Sequence, residues 1–192
     1  MSGSLLPESV VPRLRGRFGR PYLHVESCPS TQRLLGPELA EGAVAVAEEQ
    51  TEGRGRLGRR WHSPPGVSIL CSILLVPPVE TPRLPELSLV SGVACAEAIA
   101  ALTGLAPEIK PPNDILLEGR KAAGILAEAQ EGRVVLGIGI NVNVEPGDLP
   151  AEVEPPATSL LVATGREVDR AELLVELLDR LEQRYDEWIR GS

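Results

Sequence analysis

Residues 108–144 read EIKPPNDILLEGRKAAGILAEAQEGRVVLGIGINVNV, and the fold turns on how this stretch is read. Three runs suited to strands, DILLEG, KAAGILAEAQ and RVVLGIGINV, follow one another with turn signals near Glu118-Gly119 and Glu131-Gly132. Strands joined by such short glycine turns pair antiparallel, so the segment reads as a meander. Pro111 and Pro112 bar a regular central strand at their position, which leaves Asn113 and Asp114 at a rigid corner. Lys121 stands three residues before Gly124, among Ala122, Ala123 and Ile125. It reads either as an amine facing a pocket or as the solvated end of a hairpin, the commoner fate of lysine. Gly137, Gly139 and Asn141 alternate and so share one side of a strand. Glycine in a strand marks a close approach by ligand or backbone. The GxG is not a dinucleotide fingerprint, because no third glycine and no immediate helix follow it.

Upstream, residues 85–102 read as a helix, with Pro85 in its first turn and Gly104 at its end. Its small side chains imply close packing on a sheet. Residues 67–76, VSILCSILLV, form a long apolar run ended by Pro77 and Pro78, a central strand. Residues 43–49 (AVAVAEE) and 22–26 (YLHVE) read as two more strands. Ser30, Thr31 and Gln32 gather at a strand-to-helix junction, with Ser30 a candidate N-cap. Residues 1–20 read as a surface arm or short helix. Downstream, Thr158-Ser159-Leu160 starts a short helix that ends at Gly165. In the last helix Asp169 and Glu172 make a capping-box-like start, and Ala171, Leu174, Leu178, Leu181, Tyr185 and Trp188 form one stripe.

Between two of these strands lies QTEGRGRLGRRW, residues 50–61. Arg54, Arg56, Arg59 and Arg60 crowd together with Gly53, Gly55 and Gly58 between them. Arginine pairs with phosphate or carboxylate in a bidentate fork, and glycine lets backbone amides approach a ligand. The stretch reads as a mobile loop that closes on an anion, against the plainer reading of a solvated basic loop with a core tryptophan, Trp61, behind it.

The whole chain bounds these readings. It has 192 residues, 43% of them hydrophobic, and a net charge of -8. That charge argues against a general nucleic-acid binder, which shows a broad basic face. No stretch reads as a signal peptide or a spanning helix. Cys28, Cys71 and Cys95 are odd in number and widely spaced, which fits reduced thiols in a cytoplasmic protein. His24 and His62 stand apart from any ligand-like cluster, so a zinc site or histidine triad is not expected.

Several motifs in order then meet a family. Ser30-Thr31, Gln50 with GRGRLGRRW and Ser63-Pro64, PND at residues 112–114, Lys121 with GIL at 124–126, GIGINVN at 137–143 and TSL at 158–160 together resemble the biotin–protein ligases. The resemblance covers about residues 22–165. It implies an α+β fold, a mixed and largely antiparallel sheet backed by helices, like class II aminoacyl-tRNA synthetases. It implies that biotin attacks the α-phosphate of ATP, with Mg2+, and that a lysine of a biotin carboxyl carrier protein then takes biotin from the adenylate. It implies that Ser30, Thr31, Gln50 and the backbone around Gly53 and Arg54 hold the ureido ring, that Lys121 bridges the biotin carboxylate and the α-phosphate, with Arg54 and Arg56 beside it as catalytic residues, and that Gly124 shapes the wall. Arg56, Arg59, Arg60, Trp61, Asn113 and Asn141 would address ATP or the adenylate, and Asp114 would contact magnesium.

The chemistry agrees with the residue types. A carboxylate meeting a triphosphate requires fixed positive charge, and a carboxylate nucleophile needs no general base at neutral pH. The sequence departs from the family at Pro111, where tryptophan is usual, and it ends at Ser192, where bacterial relatives usually continue into a small β-barrel. The expectation is one catalytic domain over 1–192, with that barrel absent or truncated and without the DNA-binding domain of repressor relatives. No DNA or membrane partner is expected, and a homodimer is left open. The competing readings are a lipoate–protein ligase, a non-catalytic biotin or adenylate binding module, and an arginine-loop nucleic-acid binder.

Overall fold

The computed structural model describes residues 3–78, 83, 85–130, 132–151 and 153–191. Seven strands make one sheet: β1 (Tyr22–Cys28), β2 (Val44–Gln50), β3 (Ile69–Leu75), β4 (Glu108–Lys110), β5 (Asp114–Leu117), β6 (Arg120–Gln130) and β7 (Arg133–Ile140). Their order is β1-β2-β3-β7-β6-β5-β4. Only β1 and β2 pair parallel; the other five pairings are antiparallel. This is the mixed, largely antiparallel sheet that the family resemblance implied, with the expected meander in it and β3 inside it, buried along its length.

Alternation along the strands sorts the side chains into two faces. Val46, Cys71, Ile138 and Ile125 lie side by side across β2, β3, β7 and β6 and point into the main core. There they meet α2 (Glu86–Thr103) and α4 (Arg170–Arg190). Leu174, Leu178, Leu181 and Tyr185 of the α4 stripe are buried, and Asp169 caps that helix by accepting from Glu172 N. In α2, Ala94, Cys95 and Ala98 are fully buried, and the small side chains let the helix lie close to the sheet. Among the described residues α2 is, by length and composition alone, apolar enough to cross a membrane. Its apolarity serves the layer between the sheet and α4 instead.

The opposite face is different. Ser72, Gly137 and Leu126 stand in register across β3, β7 and β6, and Leu70, Gly139 and Gly124 form the next row. A small cluster of Leu35, Ala43, Ala45 and Leu74 covers one end of this face. The glycines leave the rest as a shallow floor.

The two-residue turn between β5 and β6 has Glu118 at φ 50° and Gly119 at φ 74°, the left-handed pair that such a hairpin requires. At the next turn Gly132 is left-handed, while Glu131 lies outside the described residues. The short helix α3 (Leu160–Thr164) is capped by Ser159 and ends at Gly165.

Of the two readings of residues 1–20, the short helix holds: α1 (Pro7–Val10) and its flanks bury Leu5, Val10 and Phe18 in the main core, so the described residues of this segment are not a surface arm throughout. One expectation is corrected. Ser30 precedes a 3-10 turn, Thr31–Leu34, without a side-chain cap bond. Its hydroxyl is buried at the pocket instead.

Candidate functional site

Twelve of the fourteen residues singled out from sequence line one pocket on the glycine-floored face: Ser30, Thr31, Gln50, Arg54, Arg56, Arg59, Arg60, Trp61, Asn113, Lys121, Gly124 and Asn141. Gly53 and Asp114 support it from behind.

One end of the pocket is polar and neutral. Gln50 Oε1 accepts from Thr31 N at 2.8 Å and from Thr31 Oγ1 at 3.1 Å. Thr31 Oγ1 and Ser72 Oγ lie 2.7 Å apart. Since the threonine hydroxyl has one proton and gives it to Gln50, Ser72 is the donor to Thr31. These bonds fix Gln50 with its amide nitrogen unbound to protein among the described residues.

The floor is made by Gly124 and Gly139, register partners on β6 and β7. A Cβ on Gly139 would lie 2.6 Å from the Trp61 ring, and one on Gly124 would lie 2.9 Å from it. Trp61 is thus seated on a surface that only glycine leaves open. Gln32 covers Gly137 in the same way and donates to the carbonyls of Leu126 and Val135 at 3.3 and 3.4 Å.

Lys121 reaches this face because of an irregularity. Strict alternation would put Lys121 and Gly124 on opposite sides of β6. The register against β5 shifts between Ile115 and Leu116, so the strand carries an extra residue there. Such a bulge re-aims the side chain beside it. Lys121 Nζ consequently lies 2.7 Å from Asp114 Oδ1 and 5.7 Å from the Trp61 ring centroid. The Asp114 contact is a close ion pair without hydrogen-bond alignment. It holds the amine in the pocket and excludes the solvated-hairpin reading.

The arginine stretch is a small two-stranded tongue. Trp61 N donates to Gly53 O at 3.0 Å and Gly55 N to Arg59 O at 2.7 Å, and Arg54 bridges Arg60. A Cβ on Gly53 would lie 2.3 Å from Trp61 O, so the base of the tongue requires glycine. Leu57 at the tip is left-handed at φ 58° and 91% exposed. Arg54 is tied to Glu128 of β6. Among the described residues Arg56, Arg59 and Arg60 have no carboxylate partner, which leaves three fixed cations at the pocket mouth.

Asn113 donates to Ile125 O at 2.9 Å and Asn141 to Thr158 O at 3.0 Å, so each braces the wall while lining it. The wall is completed by a loop laid against Lys121. Lys121 N donates to Pro156 O at 2.7 Å and Thr158 N to Lys121 O at 2.9 Å. Burial raises the thiols of Cys28, Cys71 and Cys95, the last to about 12, so all three are protonated and free. They offer no thiolate nucleophile.

Sequence reasoning left Gln32, Ser72 and Glu128 without a role. Gln32 follows the Ser30-Thr31 pair directly, and Ser72 interrupts an apolar run, so both carried a signal. Glu128 carried none.

A model of the biotin/lipoate A/B protein ligase family matches residues 25–145. The bifunctional ligase/repressor BirA of Bacillus subtilis is 39% identical over 181 residues, which is 90% of this chain and 56% of that protein. The biotin--[acetyl-CoA-carboxylase] ligase of Mycobacterium tuberculosis is 41% identical over 152 residues, 77% of this chain and 56% of that protein. The chain thus spans just over half the length of these curated relatives. Among solved structures, the biotin protein ligase of Aquifex aeolicus in complex with biotin and ATP superposes with a TM-score of 0.80 at 36% identity, covering 88% of this chain and 72% of that one. The sheet is therefore the class II aminoacyl-tRNA synthetase-like one of these enzymes, and the chain belongs to the biotin/lipoate A/B protein ligase family.

Proposed function

We propose that this chain is the catalytic module of an ATP-dependent biotin–protein ligase. It would form biotinyl-5'-AMP and pass biotin to a lysine of a biotin carboxyl carrier protein. The observation that carries the reading is one pocket with a neutral polar end, a glycine floor under Trp61 with Lys121 beside that ring, and three arginines in the lining that have no carboxylate partner among the described residues. A ureido ring has one acceptor and two donors, which the hydroxyls of Ser30 and Thr31 and the amide of Gln50 complement. In this reading Lys121 would meet both the carboxylate and the α-phosphate, and its charge would offset their repulsion in the approach. Arg56, Arg59 and Arg60 would take the phosphates as bidentate partners. The tongue over the pocket would exclude water from the mixed anhydride.

Magnesium is read as part of the nucleotide substrate. Among the described residues no group of three or more His, Cys, Asp or Glu side chains could hold a metal. Asp114, the expected contact, is engaged by Lys121. A single carboxylate suits an ion carried mainly by phosphates, and no step is assigned to a resident metal. The reading includes no nucleic-acid role, supported by the net charge of -8.

Calorimetric titration with biotin and with lipoate, each alone and with ATP, tests the substrate. Biotin is expected to bind and lipoate not to; lipoate binding as tight as biotin would overturn the choice. Transfer of labelled biotin to a carrier domain tests the second step.

A further inference from the structure

We propose that Glu128 is a positioning residue that holds the arginine tongue over the pocket through Arg54. The inference rests on the ligase reading for its effect on the adenylate, but not for its effect on the tongue. Glu128 lies two and four residues beyond Leu126 and Gly124 on the pocket-facing side of β6, so it stands at the rim of the same floor. Arg54 Nη1 donates to Glu128 Oε2 at 2.9 Å, and Arg54 Nη2 lies 2.9 Å from Glu128 Oε1. This is one charge-assisted hydrogen bond with a second close ion contact on the same carboxylate.

A carboxylate at the rim of a pocket for a triphosphate repels its ligand unless it is neutralised. Here Arg54 neutralises it, and Arg56, Arg59 and Arg60 stay unpaired. The pair thus consumes one arginine to fix the direction of three others. On the other shoulder of the tongue Arg33 Nη2 lies 2.8 Å from Glu52 Oε2. That contact anchors residue 52, before the tongue begins. The Glu128 contact reaches the tongue itself, one residue after Gly53, and so governs its angle to the sheet.

The sequence hides this role. An exposed glutamate near the end of a strand reads as solubility. Only the folding of the tongue over the sheet brings Arg54 to it.

The test is the full chain with Glu128→Gln, which keeps size and removes charge, compared with wild type by amide hydrogen exchange without ligand. The amides of Gly55, Arg59 and Trp61, bonded within the tongue, should exchange roughly threefold to fivefold faster in the variant, as expected for a half-exposed ion pair. Added salt should raise the wild-type rates toward those of the variant and leave the variant unchanged. The charge swap of Arg54→Glu with Glu128→Arg should restore protection. With biotin and ATP, the variant should release adenylate faster by a similar factor while the rate of pyrophosphate formation stays within about twofold.

Equal exchange and equal adenylate retention in variant and wild type would overturn the proposal. So would faster exchange spread over the whole sheet, which would make Glu128 merely structural. If wild type forms no pyrophosphate, the ligase reading fails. The tongue amides then still decide the role of Glu128.

Discussion

Two stretches of this chain are rich in arginine and glycine, RLRGRFGR at residues 13–20 and RGRLGRR at 54–60. By composition they are near twins, and the structure uses them in opposite ways. In the first, Arg17 is bound by Asp186 and Glu182, and Arg15 by Asp179 and Glu176. These acids run along α4 at helical spacing, and Phe18 between the arginines fills the core against Tyr185. Its two best-engaged cations are thus consumed by intramolecular pairing. In the second, among the described residues, one carboxylate meets one arginine, and three cations stay free over a floor of glycine. An arginine-glycine stretch therefore marks a site only when the chain withholds the counter-ions. The anion that completes the second cluster has to come from outside.

Removing the amine at the centre of the pocket breaks this contrast most severely. Lys121→Ala should lower adenylate formation by about 10²- to 10³-fold, read as pyrophosphate release, while circular dichroism at 25 °C stays native. Activity within tenfold of wild type would deny Lys121 its role. On the first stretch the opposite outcome is expected. Arg17→Ala should cost about 0.5 kcal/mol, the worth of a partly screened surface pair, with adenylate formation unchanged. Calorimetric or chemical unfolding measures it.

The pH dependence of that small term has a definite sign. The hydrogen bond from Arg17 holds the Asp186 carboxyl below its usual range. Its contribution is complete above the unfolded value, about 3.9, and is lost as pH falls through the lower folded value. Wild type and Arg17→Ala should differ in stability at pH 6 and converge in strong acid. A difference that persists at pH 2 would mean that packing against Phe18 and Tyr185, rather than charge, is what Arg17 contributes.

Most of the fold was legible because its signals are local. The meander shows in its alternation and glycine turns, and α4 in its stripe and its Asp169 cap. The N-terminal segment was not legible. Its core contacts come from Leu5, Val10 and Phe18, separated by Pro7, Pro12 and arginines, with no period to reveal them. The site was legible as a set of residues and much less as geometry. Gly137 and Gly139 announced a close approach, and the structure supplies what approaches, Gln32 and Trp61. The orientation of Lys121 depends on a bulge that no residue type signals. The roles of Ser72 and Glu128 depend on side chains that reach them from a 3-10 turn and from the tongue, contacts not readable within one strand. Ser30 shows the reverse error: its type fits a cap, but its place beside the pocket gives the hydroxyl another use.

The central claim is that this pocket joins a carboxylate to a nucleotide. Its most direct test is pyrophosphate release from ATP by the intact chain, with and without biotin. The account predicts release that requires biotin and is lost in Lys121→Ala. Biotin binding with no pyrophosphate above background would contradict it and leave a pocket that only binds.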